Sequence, residues 1–468
     1  MAFADKIFRE YDIRGVFDAD YTADFANVLA RVLADRLHAT VMKPSGQRLR
    51  FAVGRDARPS GEDLSRRFRN TLLEQGVDVL DLGIVPTPLV YFSTIHFSPD
   101  AAISITGSHN PSEYNGFKIC IGTPTLHGKQ IQELKAACKE LVANPPKASF
   151  FVPGALTPTD AVSAYLADVR ARISVSRKLT VVVDAGNGTG GVVGPKLLEL
   201  LGCDVIPIHC ELDGRFPNHH PDPTVLENLK DLQAAVREHG ADVGIAYDGD
   251  ADRIGVVDET GRPIYGDELM VLFSREILAR KPGAKIISEV KCSTRLYQDI
   301  AKRGGRPIMW KTGHSLIKAK MKEEKAELAG EMSGHMFFAD RYYGYDDAIY
   351  ASARLLEILG NARQPLSQLL SDLPACVSTP ELRVDCPDEI KFEVVRRASE
   401  LLADRFATIQ LDGVRIETAD GWGLIRASNT QPVVVMRFEA QTPARLKELQ
   451  STVESAFEAA RRAVEAAR

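Results

Sequence analysis

The sequence predicts an α/β protein of three successive mixed-sheet α/β domains, followed by a C-terminal α+β domain. Three observations carry that reading. Short β-rich runs alternate with amphipathic helical runs as far as about residue 371, the pattern of βα repeats and of parallel or mixed sheets. Beyond residue 372 the strand-like runs follow one another across short turns, bracketed by helices, which is the α+β pattern. The chain of 468 residues, 44% hydrophobic and 26% charged, is long enough for three or four domains that each bury a core.

The first block (1–150) holds the strands FAVGRD and VDVLDLG around the helix DLSRRFRNTLLEQG, then the apolar strand AAISITGS. A Pro/Gly/Ser-bearing connector, ANPPKASFFVPGALTP (143–158), breaks the pattern and predicts a boundary. In the second block (151–257), LTVVVDA, CDVIPIHC and ADVGIAYDGD read as strands, with helices through PKLLELLG and TVLENLKDLQAAVREHG. The turn DETGRP leads into the third (258–371), with helices DELMVLFSREILAR, STRLYQDIAKRGG and HSLIKAKMKEEKA around strands AKIISEV and RPIMWKTG. In the fourth (372–468), ATIQLDG, VRIETADG, WGLIRAS and PVVVMRFEA form strands between two helical segments, EIKFEVVRRASELLAD and PARLKELQSTVESAFEAARRAVEA.

Composition excludes several classes. With 58 Lys+Arg against 63 Asp+Glu the net charge is −5, no footprint for a nucleic-acid or anionic-membrane binder. The opening MAFADKIFREYDIRG lacks a secretory apolar core, and no apolar run reaches the roughly 18–20 residues that span a bilayer. Seven cysteines without a C-x-x-C pair read as reduced, buried thiols of a cytoplasmic protein.

Four motifs carry chemistry. Ser108, in Thr106-Gly107-Ser108-His109-Asn110-Pro111, stands where an apolar strand meets a turn, a position for a nucleophile or phosphoryl carrier; an ordinary polar turn is the alternative. Lys118 lies ten residues on and offers positive charge. Asp248, Asp250 and Asp252 alternate along a turn after the strand ADVGIAY, so three carboxylates can converge on one hard cation. An EF-hand is excluded because Arg253 takes the sixth position, where that loop needs glycine, and a strand precedes it. Arg253 suits a transition-state charge partner. Glu331, Met332, Ser333, Gly334 and His335 form a loop with donors and acceptors for sugar hydroxyls, with a polar hairpin turn as the alternative. Arg426, Ala427, Ser428, Asn429 and Thr430 suit phosphate, with a plain polar turn as the alternative. Gly186-x-Gly188-x-x-Gly191, with Glu211 about twenty residues on, matches the dinucleotide fingerprint of a NAD-dependent dehydrogenase or marks a tight strand-to-helix turn.

Together with Tyr11-Asp12-Ile13-Arg14-Gly15, Lys291 and Lys311-Thr312-Gly313-His314, these motifs resemble, in order and over almost the whole chain, the α-D-phosphohexomutase superfamily and its bacterial phosphomannomutase/phosphoglucomutase group. The resemblance implies four domains around a central basic cleft. It implies that Ser108 is the phosphoserine and that Asp248, Asp250 and Asp252, with a phosphoserine oxygen, hold one Mg²⁺. Tyr11, Arg14, Lys118, Arg253, Lys291 and His314 would line the cleft. Glu331 and Ser333 would hold sugar hydroxyls; Arg426, Ser428, Asn429 and Thr430 would hold the idle phosphate. The implied reaction interconverts the 1- and 6-phosphates of mannose and glucose through a 1,6-bisphosphohexose, both intermediate and activator, in a monomer whose partners are small sugar phosphates. His335, Lys118 and His109 are candidates for the general base. Phosphoglucosamine mutase is the alternative within the family; its sugar loop typically carries Gln where this chain has Met332, which offers an amino group no hydrogen bond. The glycine fingerprint becomes a structural turn. One departure stands in the metal loop, where Ala251 replaces the commoner glycine; it is expected to be tolerated at negative φ.

Overall fold

In the computed structural model, which describes residues 3–145, 151–429 and 431–467, four sheets follow one another along the chain. The first contains β1 (Ile13–Val16), β2 (Arg50–Arg55), β3 (Asp78–Ile84), β4 (Ala101–Ile105), β5 (Tyr114–Ile121) and β6 (Leu156–Pro158) in the order β1-β5-β4-β2-β3-β6. Strands β2, β3, β4 and β6 run parallel, and β5 runs antiparallel to β1 and β4. The sequence places Leu156–Pro158 in a connector; here those residues add an edge strand to this sheet. The connector's residues 146–150 lie outside the described residues.

The second sheet contains β7 (Thr180–Asp184), β8 (Asp204–Ile208), β9 (Val243–Tyr247), β10 (Ile254–Asp258) and β11 (Pro263–Ile264), ordered β11-β10-β9-β7-β8. Strand β11 pairs with β10 and carries the sheet past residue 257, the break expected from the turn DETGRP. The third contains β12 (Lys285–Glu289), β13 (Arg306–Trp310), β14 (Leu328–Gly330) and β15 (Met336–Phe338), ordered β13-β12-β14-β15. In both, a parallel core carries antiparallel strands at one edge. Strands β4, β9 and β10 are buried at every residue, as sheets covered on both faces require.

The fourth sheet is antiparallel throughout: β16 (Val377–Ser378), β17 (Leu382–Asp385), β18 (Ala407–Ile409), β19 (Val414–Thr418), β20 (Gly421–Ala427) and β21 (Val433–Ala440), backed by helices Lys391–Ala403 and Pro443–Ala466. Its core is its own. By contrast, one continuous apolar cluster joins residues of the first three domains, from Ala52 and Leu89 through Tyr247 to Leu356.

Helices Thr87–His96, Ala161–Arg172, Ala348–Asn361 and Leu366–Leu369 all contribute to that shared cluster, and the sequence pattern predicts none of them. Thr87–His96 is buried on nearly every side, so it lacks the polar face that makes a helix recognisable by periodicity. The helix read through PKLLELLG begins earlier, at Gly190. The segment TVLENLKDLQAAVREHG splits into a 3₁₀ turn, Leu226–Leu229, and the helix Lys230–His239, which Gly240 closes at φ +58 as a left-handed cap. No helix among the described residues is long and apolar enough to cross a membrane.

Candidate active site

At the end of β4 the chain turns through Gly107 into Ser108, whose φ is +52, a conformation non-glycine residues rarely hold. The turn is clamped from behind. Buried Arg58 donates from Nη2 to the carbonyls of Ser108 (2.8 Å) and Asn110 (2.6 Å), and from Nη1 to that of Tyr114 (2.9 Å). Its Nε rests on Asp56 at 3.0 Å, and Asp56 also accepts from Thr106 Oγ1 and the Gly107 amide. A Cβ on Gly107 would lie 2.5 Å from the guanidinium carbon, so the clamp requires glycine. Held this way, Ser108 Oγ donates to Asp248 Oδ2 at 3.2 Å and lies 3.2 Å from His109 Nδ1. Burial, then the charges of Arg253 and Arg14, lower the basicity of His109 well below the usual imidazole range.

The reversal from β9 into β10 brings Asp248, Asp250 and Asp252 together. All three are fully buried, with ligand oxygens within 4.8 Å of one another. Lys118, on β5, reaches between two of them, its Nζ 2.7 Å from Asp250 Oδ2 and 2.5 Å from Asp252 Oδ2. Burial and its two carboxylate neighbours push Asp248 well above the carboxylate range. Burial opposes ionisation at Asp252 as well, but Lys118 and His335 outweigh it and hold that group low. Burial also pulls Lys118 down, and Asp250 and Asp252 more than reverse this. Asp250 Oδ1 and Asp252 Oδ1 are buried without a hydrogen-bond partner among the described residues. Unsatisfied carboxylate oxygens at zero exposure are costly, and an all-oxygen donor set of this kind fits a hard divalent cation.

Ala251 corrects the expectation of negative φ: its φ is +56. Its amide closes a turn onto Asp248 O at 3.0 Å, and the tight reversal then proceeds through a left-handed step. Beneath the loop, Thr189 donates from its amide (3.0 Å) and hydroxyl (3.2 Å) to Gly249 O. A Cβ on Gly188 would meet Gly249 O at 2.6 Å, one on Gly190 the Tyr247 ring at 2.7 Å, and one on Gly191 Cys210 O at 2.1 Å. The glycine fingerprint thus serves close packing, and protein fills the space a pyrophosphate would need.

Above lies a cleft of about 670 Å³ lined from all four domains, Tyr11, Arg14, Arg253, Lys291, His314, Glu331, Ser333, His335, Arg426 and Ser428 among them. Arg253 Nε donates to His335 Nε2 at 3.0 Å. Since arginine only donates, that nitrogen accepts, and His335 Nδ1 faces Asp346 Oδ2 at 3.2 Å and Asp252 Oδ1 at 3.7 Å. Asp346 is fully buried; its Oδ1 pairs with Lys318 Nζ at 2.9 Å, and its Oδ2 lies 3.6 Å from His314 Nδ1. Gly334 (φ +93) accepts from the Ile254 amide at 3.0 Å, and a Cβ there would strike Ile254 O at 2.3 Å. The sugar loop is thereby pinned to the strand leaving the metal loop. Glu331 accepts from the Gly313 amide (2.7 Å) and Ser333 Oγ (3.0 Å), while the Met332 amide donates to Glu289 (3.2 Å).

At the far end Tyr11 joins three domains: its hydroxyl donates to Thr312 O (3.0 Å) and accepts from Asn429 Nδ2 (2.9 Å). Arg14 Nη1 donates to Asn110 Oδ1 at 2.9 Å and pairs with Asp12. Lys291 Nζ binds Glu381 Oε2 at 2.9 Å; burial pushes Glu381 up, and Lys291 with Arg383 overrides it to about 2. Arg426 Nε donates to Asp412 Oδ2 at 2.9 Å. Ser428 Oγ accepts from the Gln431 amide at 3.1 Å, and Ala427 is buried in β20. Thr430 lies outside the described residues. The sequence reading passed over Asp56, Arg58, Asp346, Glu381 and Asp412. The first two carry one signal, a charged turn directly after a strand, as in the metal loop; the others carry none.

Four models of phosphoglucomutase/phosphomannomutase match in succession: α/β/α domain I over residues 5–144, domain II over 161–261, domain III over 265–377 and the C-terminal domain over 381–456. A phosphomannomutase/phosphoglucomutase of Pseudomonas putida is 46% identical over 451 residues, 96% of this chain and 94% of the relative. A phosphoglucomutase of Neisseria gonorrhoeae is 42% identical over 459 residues, 97% of this chain and 96% of its own. The crystal structure of a phosphoglucomutase/phosphomannomutase family protein from Burkholderia thailandensis superposes with a TM-score of 0.89 at 42% identity, covering 98% of both chains.

Proposed function

We propose a mechanism for a chain that belongs to the phosphoglucomutase/phosphomannomutase family and, as an isomerase, interconverts hexose 1-phosphates and 6-phosphates. Ser108, phosphorylated, passes its phosphoryl group to the free O1 or O6 of a hexose phosphate, whose hydroxyl proton goes to a cleft histidine, His335 or His109, since Lys118 is held protonated. The 1,6-bisphosphohexose turns within the cleft, and its other phosphate returns to Ser108 Oγ. The observation that carries this reading is the approach of Ser108 Oγ to Asp248 (3.2 Å) beside a buried three-aspartate cluster under a cleft lined with cations.

Asp248, Asp250, Asp252 and a phosphoserine oxygen would hold Mg²⁺. When bound, the cation supplies Lewis-acid charge that neutralises phosphoryl oxygens. Lys118 remains protonated between Asp250 and Asp252, within reach of a phosphoryl group on Ser108, and spreads its charge. Arg253 does the same from the other side, its guanidinium held by His335 and, through it, by Asp346. Glu331 and Ser333 grip hydroxyls that glucose and mannose share, which supports one enzyme for both sugars. Arg426, Ser428 and Asn429 cradle the phosphate that is not reacting. We further propose a cytoplasmic monomer acting on small sugar phosphates.

Phosphorus NMR of the purified enzyme with glucose and mannose 1-phosphates, primed with glucose 1,6-bisphosphate, tests the reading. Both substrates should convert to their 6-phosphates, and neither should convert in excess EDTA. Full activity in EDTA would overturn the metal assignment; activity confined to glucosamine phosphates would overturn the sugar assignment.

A further inference from the structure

The helix His314–Glu324 belongs to two cavities. Its first residue lines the catalytic cleft. Its body walls a second cavity of about 570 Å³, between the first and third domains. That volume falls in the range of small-molecule sites, roughly 300–1,000 Å³.

The walls of this second cavity have a definite chemistry. Tyr91, Tyr343 and Tyr345 line it, with Tyr91 and Tyr345 in edge contact at 5.7 Å. Lys318, Lys322 and Lys325 line it too. Lys318 Nζ lies 4.3 Å from the centre of the Tyr91 ring, and the Tyr91 hydroxyl is buried without a hydrogen-bond partner among the described residues. Lys322 and Lys325 are exposed and form no ion pair among the described residues, unlike Lys320 on the same helix, which pairs with Glu323 and Glu324. The carboxylate in the lining, Glu327, is engaged by Lys281 at 2.9 Å. Aromatic walls with uncompensated cations at the rim complement a planar body that carries an anion.

Lys318 also ends a chain of contacts that reaches the chemistry. Its Nζ holds Asp346 at 2.9 Å, Asp346 faces His335 at 3.2 Å, and His335 accepts from Arg253 at 3.0 Å.

We propose that this second cavity is a regulatory site for a phosphate-bearing ligand with a planar aromatic body, the chemistry of a nucleotide, and that its occupancy slows turnover. A ligand phosphate competes with Asp346 for Lys318. Loss of that cation leaves a buried carboxylate uncompensated beside His335 and raises the negative potential where phosphoryl charge develops. The ligand therefore lowers kcat and leaves KM for the sugar phosphate nearly unchanged.

Calorimetric titration with ADP, with the catalytic cleft saturated by glucose 1,6-bisphosphate, reads binding at this site independently of activity. One saturable event is expected, with adenosine and pyrophosphate each binding more weakly than ADP. The double variant Lys322→Glu/Lys325→Glu should weaken ADP by about tenfold or more at unchanged basal turnover, and Ala319→Trp, on the exposed cavity face of the helix, should block it sterically. The proposal falls if ADP gives no saturable heat with the cleft occupied, if neither variant affects binding, or if ADP inhibits by raising KM alone. Adenosine binding as tightly as ADP would overturn the anionic half of the assignment. None of these results bears on the mutase mechanism, which is assayed without ADP.

Discussion

The first three domains and the fourth are joined to their neighbours in opposite ways. One apolar cluster runs through the first three, whereas the fourth keeps its own core and, among the described residues, shares a small apolar cluster with the third, Trp422 and Leu424 against Val290. Its other links are polar: Arg415 donates to the carbonyls of Val290 and Cys292, and Asn429 to Tyr11. The chemistry follows this division. Ser108, Lys118 and the aspartates sit where the first two domains are packed together, Lys118 paired with Asp250 and Asp252. Arg426 and Ser428 sit on the separately built domain. Positioning for phosphoryl transfer has to be held to a fraction of an ångström, while capture and release of a sugar phosphate need a part that can move.

The largest effect is expected where the first two domains meet. Ser108→Ala should lower kcat on the order of 10⁴-fold or more, and peptide mass spectrometry should find phosphate on Ser108 in the parent. Phosphate on another residue, with Ser108→Ala active, would remove the basis for calling that junction catalytic. Asp250→Asn should likewise raise the Mg²⁺ requirement steeply in a titration of activity against the metal, because it takes a charge from the ligand set.

A smaller effect is expected one step back from the chemistry. Asp346→Asn keeps the shape of the side chain but removes the charge facing His335 and Lys318. It should lower kcat by about 10- to 100-fold with KM nearly unchanged, because Arg253 is then less firmly oriented. A rise in KM without loss of kcat would place Asp346 in substrate binding instead. On the fourth domain, Arg426→Ala removes a charge-assisted contact of about 1.5–3 kcal/mol, or roughly 10- to 150-fold in kcat/KM. Both 1-phosphate and 6-phosphate substrates should suffer, since the turning intermediate presents each end to the same cradle. An effect on one alone would contradict a shared cradle.

The division itself was only half legible in the sequence. Motifs at strand ends were readable because a few consecutive residues carry both the turn and the chemistry, as in Ser108 after β4 and the aspartates after β9. The change of pattern near residue 372 marked the fourth domain for the same local reason. What welds the first three domains was not readable. Thr87–His96 is buried on nearly all sides and so loses helical periodicity. Asp346 and Arg58 act across long stretches of chain, Asp346 over 28 residues to Lys318 and Arg58 over 50 to Ser108 O, and no local pattern encodes those contacts. Backbone conformation was also beyond reach, which is why φ at Ala251 was misjudged.

The smallest expected effect lies at Ala251 itself. At φ +56 Ala251 carries the steric cost of a left-handed L-residue, about 1–2 kcal/mol. Ala251→Gly removes that cost, but glycine gives up about 0.5–1 kcal/mol of unfolded-state entropy. The alanine side chain is also fully buried in the cluster that joins the first three domains, and losing one buried methyl costs roughly 0.8 kcal/mol. The three contributions nearly cancel, so Ala251→Gly should change unfolding free energy by less than about 1 kcal/mol, with unchanged kcat and Mg²⁺ requirement. Alanine is tolerated here through compensation by packing, against the expectation of a relaxed backbone. Denaturant melts of the two proteins decide the matter: a stabilisation by glycine of more than about 1 kcal/mol would mean that the methyl contributes nothing to the welded core. A large loss of activity would mean that the methyl helps set the spacing of Asp250 and Asp252.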